Sequence, residues 1–171
     1  VLFVALNPPR QSHANGHWFS GSSSRFFKLL AVSGLTSHEP SRDNADEIVF
    51  GSTNVNYLNM SYGVTDLVPR LVETNSHRVR ASKSDAAVLV HAIRHYAPRT
   101  VCIIHSKVRR ILNSSGYLSH HLEYGANGKA LEGSEAMFFL NYFPNGNNVP
   151  DSTKVRIFKR VKRCLSHASV A

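Results

Sequence analysis

The amino-terminal stretch of the chain constrains its fold most strongly. Residues 1–6 (VLFVAL) form an apolar, β-prone run of the length expected for a buried strand. Asn7-Pro8-Pro9 ends this run, because proline lacks a backbone donor and disfavours helix in the residue before it. Asn7 is therefore predicted to lie extended at the carboxyl end of a strand, at the edge of an open α/β sheet where ligands bind.

A polar loop and a helix follow this strand. Trp18 and Phe19 are the only large apolar pair of the loop. A serine among residues 22–24 is predicted to cap a helix that begins at Arg25 and that Gly34 ends. Strand, amide, aromatic-bearing loop and helix together indicate a site.

The remaining chain alternates between strand and helix patterns. Strands are predicted at 64–68, 100–104 and 136–143, and helices at 43–49, 82–96, 107–112 and 151–165, with 117–134 irregular. This alternation predicts an α/β fold: one domain over residues 1–171, with three α/β/α layers around a central, mostly parallel four-stranded sheet.

The charge balance points to a polyanionic partner. Lysine and arginine number 20 against 11 acidic residues, which gives a net charge of +9. Nucleic acid is the first expectation and an acidic membrane surface the second, although charge alone also fits a basic protein without such a partner. No apolar run approaches the length of a membrane span, so no spanning segment is expected, and nucleic acid rather than a membrane is the expected partner.

Cysteine usage indicates a reducing compartment. Cys102 and Cys164 lie far apart, and no C-x-x-C pair supports a zinc site or an iron–sulfur cluster. A cytoplasmic, nucleoid-associated or nuclear location is expected, and secretion is not. Cys102 sits inside an apolar strand and is interpreted as a core residue rather than a nucleophile.

Polar residues follow three of the predicted strands. Asn7, His105 and the loop 144–148 would meet at one edge of the sheet if the strands are parallel neighbours. An amide is no strong base near neutral pH, but it can hold a water molecule, and Phe19 can stack on a planar ring. The residues alone leave open that Asn7 caps a turn and that Phe19 belongs to the core.

Other site chemistries find little support. Neither G-x-x-x-x-G-K-[ST] nor G-x-G-x-x-G occurs, so a phosphate-cradling nucleotide site is not indicated. The ten histidines are not interpreted as a metal site: His120 and His121 are neighbours that point apart on a regular element, and no H-x-x-x-H pattern accompanies this pair. Arg109-Arg110 and the basic residues within 159–163 are interpreted as solvated helix faces, with phosphate contact as the alternative.

Three segments resemble one known family. The first resemblance is to the uracil-DNA glycosylase superfamily, in particular its mismatch-specific (G:T/U) and single-strand-selective branches. It lies in residues 5–9 (ALNPP), Trp18-Phe19 and residues 24–28 (SRFFK). Those branches carry Gly-x-Asn-Pro-Gly, a loop ending in an aromatic residue and a helix start Asn-Arg-Phe-Trp-Lys. Residues 63–70 (GVTDLVPR) resemble their segment Gly-Val-Thr-Lys-Leu-Val. A last strand, a Pro-Asn-Gly loop and a C-terminal helix match by position.

The resemblance implies a monofunctional DNA glycosylase that flips a damaged base, uracil by default, and hydrolyses its N-glycosidic bond without metal or cofactor. Its partner would be DNA, single- or double-stranded, and the protein would act as a monomer. Asn7 would position the attacking water, with Asn145 as a second catalytic residue, and Phe19 would stack on the base. Further substrate contacts would come from Ala5, Leu6, Pro8, His17, Trp18 and Phe143. DNA contacts would come from Ser24, Arg25, His105, Lys107, Pro144, Gly146, Asn147 and Asn148.

Two departures from the family pattern bear on the substrate. Ala5 replaces the first glycine of the motif and adds a methyl group near the site. Members of the family carry His-Pro-Ser or Asn-Pro-Ser where this chain has Phe143-Pro144-Asn145-Gly146. The side chain expected to contact the carbonyl group of the base is therefore either lost or moved to Asn145 or Asn147. Hypoxanthine and xanthine are therefore alternative bases. A non-catalytic nucleic-acid-binding domain and a hydrolase of free nucleosides or nucleotides are the alternative functions.

Overall fold

One mixed sheet forms the centre of the protein. The structure, a computed structural model, describes residues 1–145 and 147–167. Within them the strands are β1 (Leu2–Ala5), β2 (Gly63–Asp66), β3 (Thr100–Ile103), β4 (Gly125–Gly128) and β5 (Met137–Leu140), in the order β2-β1-β3-β5-β4. β2, β1, β3 and β5 are parallel, and β4 pairs antiparallel with β5. The prediction of an α/β fold with a mostly parallel sheet is confirmed.

The predicted number of four strands is wrong, because β4 adds a fifth. This strand reads Gly125-Ala126-Asn127-Gly128 and has neither apolar alternation nor a β-branched residue. Its register with β5 shifts between Ala126 and Gly128, at an irregularity of the ladder. Backbone pairing at a sheet edge, rather than side-chain pattern, therefore defines β4, and the sequence gives no signal for it.

Six helices flank the sheet within the described residues. They are α1 (Arg10–Asn15), α2 (Phe26–Ser33), α3 (Ala45–Gly51), α4 (Lys83–Tyr96), α5 (Ser106–Asn113) and α6 (Asp151–His167), with short 3-10 turns at Tyr57–Asn59 and Ser76–Arg78. α1 lies where a loop was predicted, because its six residues bear no apolar stripe. Among these described helices, none has the length and apolar character needed to cross a bilayer.

The helix ends follow the sequence signals only in part. Ser82 and Asp85 form a capping box at the start of α4, and Gly34 ends α2 with a φ of 73°. The predicted serine cap of α2 is wrong, since Arg25 occupies the N-cap position and makes no side-chain cap. The backbone N–H of Arg25 instead meets a side chain from the far end of the chain, described below.

Two apolar clusters cover the two faces of the sheet. On one face α4 and α5 pack against Val4, Val101 and Ile103. On the other face α2, α3 and α6 pack against Phe3 and Cys102. Cys102 is fully buried, and burial raises the pKa of its thiol, which agrees with its interpretation as a core residue. The sheet thus lies between two helical layers, and its carboxyl edge remains for the site.

Candidate active site

A cavity of about 450 Å³ opens at the carboxyl edge of the sheet. The segments after β1, β2, β3 and β5 line it together with α1 and the loop that leads to α2. Most of the predicted site residues meet there: Ala5, Leu6, Asn7, Pro8, His17, Trp18, Phe19, Ser24, His105, Phe143 and Asn145. The lining does not include five of the predicted DNA-contact residues: Arg25, Lys107, Pro144, Asn147 and Asn148. A sixth, Gly146, lies outside the described residues.

Backbone carbonyls fix the orientation of the Asn7 amide. Its Nδ2 donates to the carbonyl oxygens of Glu73 at 2.7 Å, Leu71 at 3.0 Å and Pro8 at 3.2 Å. Carbonyls only accept hydrogen bonds, so the NH₂ group must face them. The oxygen Oδ1 is thereby left as the acceptor that Asn7 presents on the cavity side. An amide oxygen so held can receive a hydrogen bond from a water molecule.

Phe19 forms part of an aromatic wall. Its ring stacks on Phe26 with the centroids 4.0 Å apart and the planes at 18°, and it meets Phe27 edge-on at 6.0 Å. The backbone of Phe19 adopts a φ of 57°, a strained value for a residue with a large side chain. Because Phe26 covers one face of the ring, the opposite face is the one that a planar ligand in the cavity can use.

A buried carboxylate holds the segment before Phe19. Asp46 of α3 lies 3.0 Å from Nδ1 of His17 and accepts a hydrogen bond of 2.8 Å from the backbone N–H of Trp18. His17 is thereby oriented with its Nε2 away from the carboxylate. Sequence reasoning missed Asp46, since nothing local links it to a histidine 29 residues earlier.

His105 lies in the cavity wall rather than on an open surface. Its Nδ1 accepts a hydrogen bond of 3.1 Å from the backbone N–H of Lys107, and its ring packs against Phe143 at 5.4 Å. Burial lowers the pKa of His105 to about 4, with a further contribution from the charge of Lys107. The ring is therefore neutral near pH 7 and carries its proton on Nε2, which makes it a donor without charge.

Lys107 is tied to the segment that follows β2. Its ammonium donates to the carbonyl oxygens of Ser76 and, at 3.2 Å, Val79. Burial is the main cause that lowers the pKa of Lys107, with Arg110 and Arg80 adding to it. The side chain predicted to contact DNA thus positions the segment 76–79 beside the cavity, and its role toward DNA stays a prediction.

The loop after β5 is anchored to α2 and α6. Asn145 Oδ1 accepts a hydrogen bond of 2.9 Å from the backbone N–H of Arg25, so the amide NH₂ of Asn145 remains as its donor toward the cavity. The guanidinium of Arg25 pairs with Asp151 at 3.1 Å. The fully buried Lys154 donates to the carbonyl of Pro144 at 2.9 Å. These contacts connect the loop after β5 to the start of α2 and to α6, and no sequence pattern predicts them.

The outer part of the same loop is exposed. Asn147 and Asn148 are both exposed, and Asn147 Nδ2 donates to the carbonyl of Phe143 at 2.6 Å. Ser24, on the opposite segment, has a buried Oγ for which the described residues offer no hydrogen-bond partner. Ser24 thus lines the cavity, whereas its neighbour Arg25 and the exposed Asn147 and Asn148 do not.

Asp66 is a titratable residue of the cavity lining that was not predicted from the sequence. It ends β2, is only 6% exposed, and desolvation raises the pKa of its carboxyl to about 7. Its Oδ1 is buried without a hydrogen-bond partner among the described residues. The signal that singled out Asn7 and His105, a polar residue where a strand ends, applies equally to Asp66.

The cavity combines three chemical features. It has an amide oxygen that can hold a water, an aromatic face, and the uncharged donors of His105 and Asn145. No cluster of three or more His, Cys, Asp or Glu side chains within residues 1–145 and 147–167 is placed to hold a metal ion. Such an arrangement suits displacement of a planar heterocycle by a positioned water, with the developing negative charge stabilised by hydrogen bonds.

The comparison with protein families agrees with this geometry. The family model described as the uracil DNA glycosylase superfamily matches residues 1–155, which include the five described strands, the cavity and the start of α6. With most of its length matched, the chain belongs to the uracil DNA glycosylase superfamily.

Proposed function

We propose that the protein is a monofunctional DNA glycosylase that removes uracil from DNA by hydrolysis of the N-glycosidic bond, acting as a monomer. Membership of the superfamily supports DNA glycosylase activity and DNA as the partner. The observation that carries the finer proposal is the Asn7 amide, which three backbone carbonyls hold with its Oδ1 as the remaining acceptor. An amide fixed in this way positions a water without rearranging during the reaction.

The base would enter the cavity beside Phe19. Chemistry on a base requires that it leave the stack, and the cavity of about 450 Å³ falls within the range of small-molecule sites. The free face of Phe19, whose other face rests on Phe26, supplies a stacking surface. Stacking of a base on an aromatic ring contributes about 1–3 kcal/mol to binding.

Neutral donors would stabilise the leaving base. Breakage of the glycosidic bond leaves the electron pair on the base, so negative charge develops on its ring and carbonyl oxygens. Nδ2 of Asn145 and the Nε2–H of the neutral His105 are the donors in the cavity that suit this charge. Asn145 would thus take the place of the histidine or asparagine that Phe143 replaces, because its Oδ1 is already bound to Arg25.

Exposed arginines on the segments that follow the parallel strands favour a polyanionic strand as the partner. Arg10, Arg78, Arg80 and Arg110 are exposed on the segments after β1, β2 and β3, and the whole chain carries a net charge of +9. Phosphate contacts by such side chains position a strand without reading its sequence.

The proposal is tested with oligonucleotides that carry one uracil, in single strands and opposite guanine or adenine. Heating with alkali should cleave the strand after incubation with the protein, whereas omission of alkali should leave it intact if the enzyme is monofunctional. We expect Asn7→Ala to lower the single-turnover rate at least about 10²-fold. The exposed Asn54 provides a matched control, because Asn54→Ala should keep the full rate.

The outcome distinguishes the alternatives. Cleavage of hypoxanthine or xanthine strands in preference to uracil strands would change the proposed base but keep the proposed reaction. Absence of cleavage on all three bases, with salt-sensitive DNA binding that Asn7→Ala does not alter, would replace the proposal with a non-catalytic binding domain. Activity on free nucleosides alone would contradict the proposed DNA substrate.

A further inference from the structure

A buried acid lies in the wall of the cavity, and one of its carboxyl oxygens has no hydrogen-bond partner among the described residues. Asp66 is 94% buried, lines the cavity, and has an Oδ1 that no described residue contacts by a hydrogen bond. Nearly all buried polar groups in folded proteins have a partner, and an unpaired one is destabilising. The unpaired carboxyl oxygen of Asp66 destabilises the fold, yet it lies beside a cavity that substrate or water can enter. This placement points to a hydrogen-bond partner that comes from the cavity, either substrate or water.

The sheet places Asp66 on the same wall as Asn7. β1 and β2 are parallel neighbours in which Ala5 is aligned with Asp66, and the backbone N–H of Leu67 donates to the carbonyl of Ala5 at 2.9 Å. Aligned residues of neighbouring strands project from the same face, and Ala5 lines the cavity as Asp66 does. Asn7 follows Ala5 by two residues, and its amide is held by the segment that continues from β2.

We propose that Asp66 is a second catalytic residue of this cavity, the group that accepts a proton from the water held by Asn7. The inference rests on the proposed glycosylase function. As the water oxygen forms its bond to the sugar carbon, one water proton passes to the Asp66 carboxylate. The N-glycosidic bond breaks, and its electron pair leaves with the base. Transfer of the proton from Asp66 to the base anion or to solvent then restores the carboxylate.

The Asn7 amide cannot take this proton itself, because an amide is not basic near neutral pH. The other titratable side chains that line the cavity are His13, His17, Glu73 and His105. Glu73 is a weak base, since hydrogen bonding from the backbone of Asn75 is the main cause that lowers its pKa. His105 is a weak base as well, because burial brings its pKa to about 4.

The two remaining histidines are placed differently from Asp66. His17 is bound through Nδ1 to Asp46, and His13 is exposed on α1. Asp66 is buried, and its pKa of about 7 suits proton transfer near neutral pH. Desolvation by burial is the cause of this shift.

The test is the single-turnover rate on a uracil strand as a function of pH. For the wild-type protein we expect the rate to rise with pH and to level off above about pH 7, because the ionised carboxyl is the active form. Asp66→Asn should lower the plateau by about 10²- to 10⁴-fold and remove the rise. Asp66→Glu should recover part of the rate together with the pH dependence.

Two readouts separate catalysis from structure. Trp18 is the only tryptophan and lines the cavity, so its fluorescence reports binding of an oligonucleotide that carries the abasic product. Asp66→Asn should keep this affinity within about threefold and should not lower the denaturation midpoint. The exposed Asp43 supplies the control, since Asp43→Asn should behave as the wild type in every measurement.

The inference is overturned if Asp66→Asn keeps the wild-type pH profile, or if His13→Gln rather than Asp66→Asn removes the rise. Loss of rate in parallel with loss of stability, at an unchanged pH profile, would likewise assign Asp66 a structural role. These results leave the glycosylase proposal standing, because wild-type activity and its dependence on Asn7 are measured in the same series. An inactive wild-type protein would instead refute both.

Discussion

The carboxylate of Asp46 lies 3.0 Å from Nδ1 of His17 and links α3 to the loop that carries the aromatic wall. The same carboxylate accepts a hydrogen bond from the backbone N–H of Trp18, one residue before Phe19. Phe19 holds a positive φ of 57°, a conformation that its surroundings must enforce. Asp46 is therefore a support for the position of the Phe19 ring.

Removal of this support should loosen the loop. We expect Asp46→Ala to lower single-turnover activity by about 10-fold or more, because a misplaced stacking ring weakens the positioning of the base. The steady-state anisotropy of Trp18 fluorescence should fall, since its backbone N–H loses its partner. Glu47→Ala, an exposed acid on the same helix, should change neither quantity. Unchanged anisotropy in Asp46→Ala would contradict the supporting role.

Lys154 should be critical for stability as well as for the site. Its side chain is fully buried in α6, and its ammonium donates to the carbonyl of Pro144 at 2.9 Å. Lys154→Ala would leave that carbonyl unpaired and the space of the aliphatic stem empty. We expect the free energy of unfolding, measured by urea denaturation, to fall by about 2–5 kcal/mol.

The exposed Lys159 of the same helix is the control for this change. Lys159→Ala should alter the free energy of unfolding by no more than about 0.5 kcal/mol. Equal stability of the two variants would show that the buried ammonium does not hold the loop after β5.

Local signals explain why parts of the site can be predicted from sequence. The apolar run before Asn7 and the prolines after it depend on neighbouring residues alone, and the structure has β1 at Leu2–Ala5 with Asn7 in the cavity. Parallel pairing of β1 with β3, and of β3 with β5, then brings His105 and Asn145 to the same edge. Polar residues at strand ends are thus informative wherever the sheet is parallel.

The parts that could not be predicted depend on contacts distant in sequence. Asp46 meets His17 across 29 residues, and Asn145 meets Arg25 across 120 residues, without a local pattern at either end. β4 is defined by backbone pairing with β5, so its glycine-rich sequence resembles a loop. The boundaries of α4 could be predicted, because Ser82 and Asp85 form the capping box within four residues.

Loss of the Phe19 ring from the aromatic wall should weaken substrate binding. Phe19→Leu keeps most of the apolar volume but removes the ring that stacks on Phe26 at 4.0 Å. Loss of base stacking should weaken binding of a uracil-containing strand by about 1–3 kcal/mol, which single-turnover titration measures as a higher half-saturation concentration. Stability should change by less than about 1.5 kcal/mol.

Phe50 offers a matched aromatic control. Its ring also packs near Phe26, with the centroids 6.3 Å apart, but Phe50 is not among the residues that line the cavity. Phe50→Leu should therefore leave the half-saturation concentration unchanged. A similar rise in both variants would mean that Phe19 acts through the core and not through the base.

The exposed arginines after β2 should govern the salt dependence of DNA binding. Arg78 lies two residues after Ser76 of the cavity lining, and its charge is one of the causes that lower the pKa of Glu73. If Arg78 contacts one phosphate, Arg78→Ala should reduce the slope of log affinity against log salt by about 0.9. Arg163→Ala, at an exposed position late in α6, should keep the slope. Equal slopes for both variants would place the DNA path elsewhere.

The burial of Asp66 should make the stability of the protein depend on pH. The folded-state pKa of the Asp66 carboxyl is raised from its ordinary 3.8 to about 7 by desolvation. Between these values the unfolded chain is ionised at this residue while the folded protein retains the proton. The folded state therefore binds more protons, and the contribution of Asp66 to the free energy of unfolding falls as pH rises from about 4 to about 7, then stays constant.

Asp66→Asn removes this ionisation and should stabilise the protein at pH 8, by at most about 4 kcal/mol, the value that the shifted pKa implies. At pH 4 the gain should nearly vanish, because the carboxyl is then protonated in the folded protein. Urea denaturation of both proteins at the two pH values measures the difference, with Asp43→Asn as the exposed control. A variant less stable than the wild type at pH 8 would mean that the Asp66 carboxylate has a stabilising partner, and the cost expected of an unpaired buried acid would not exist.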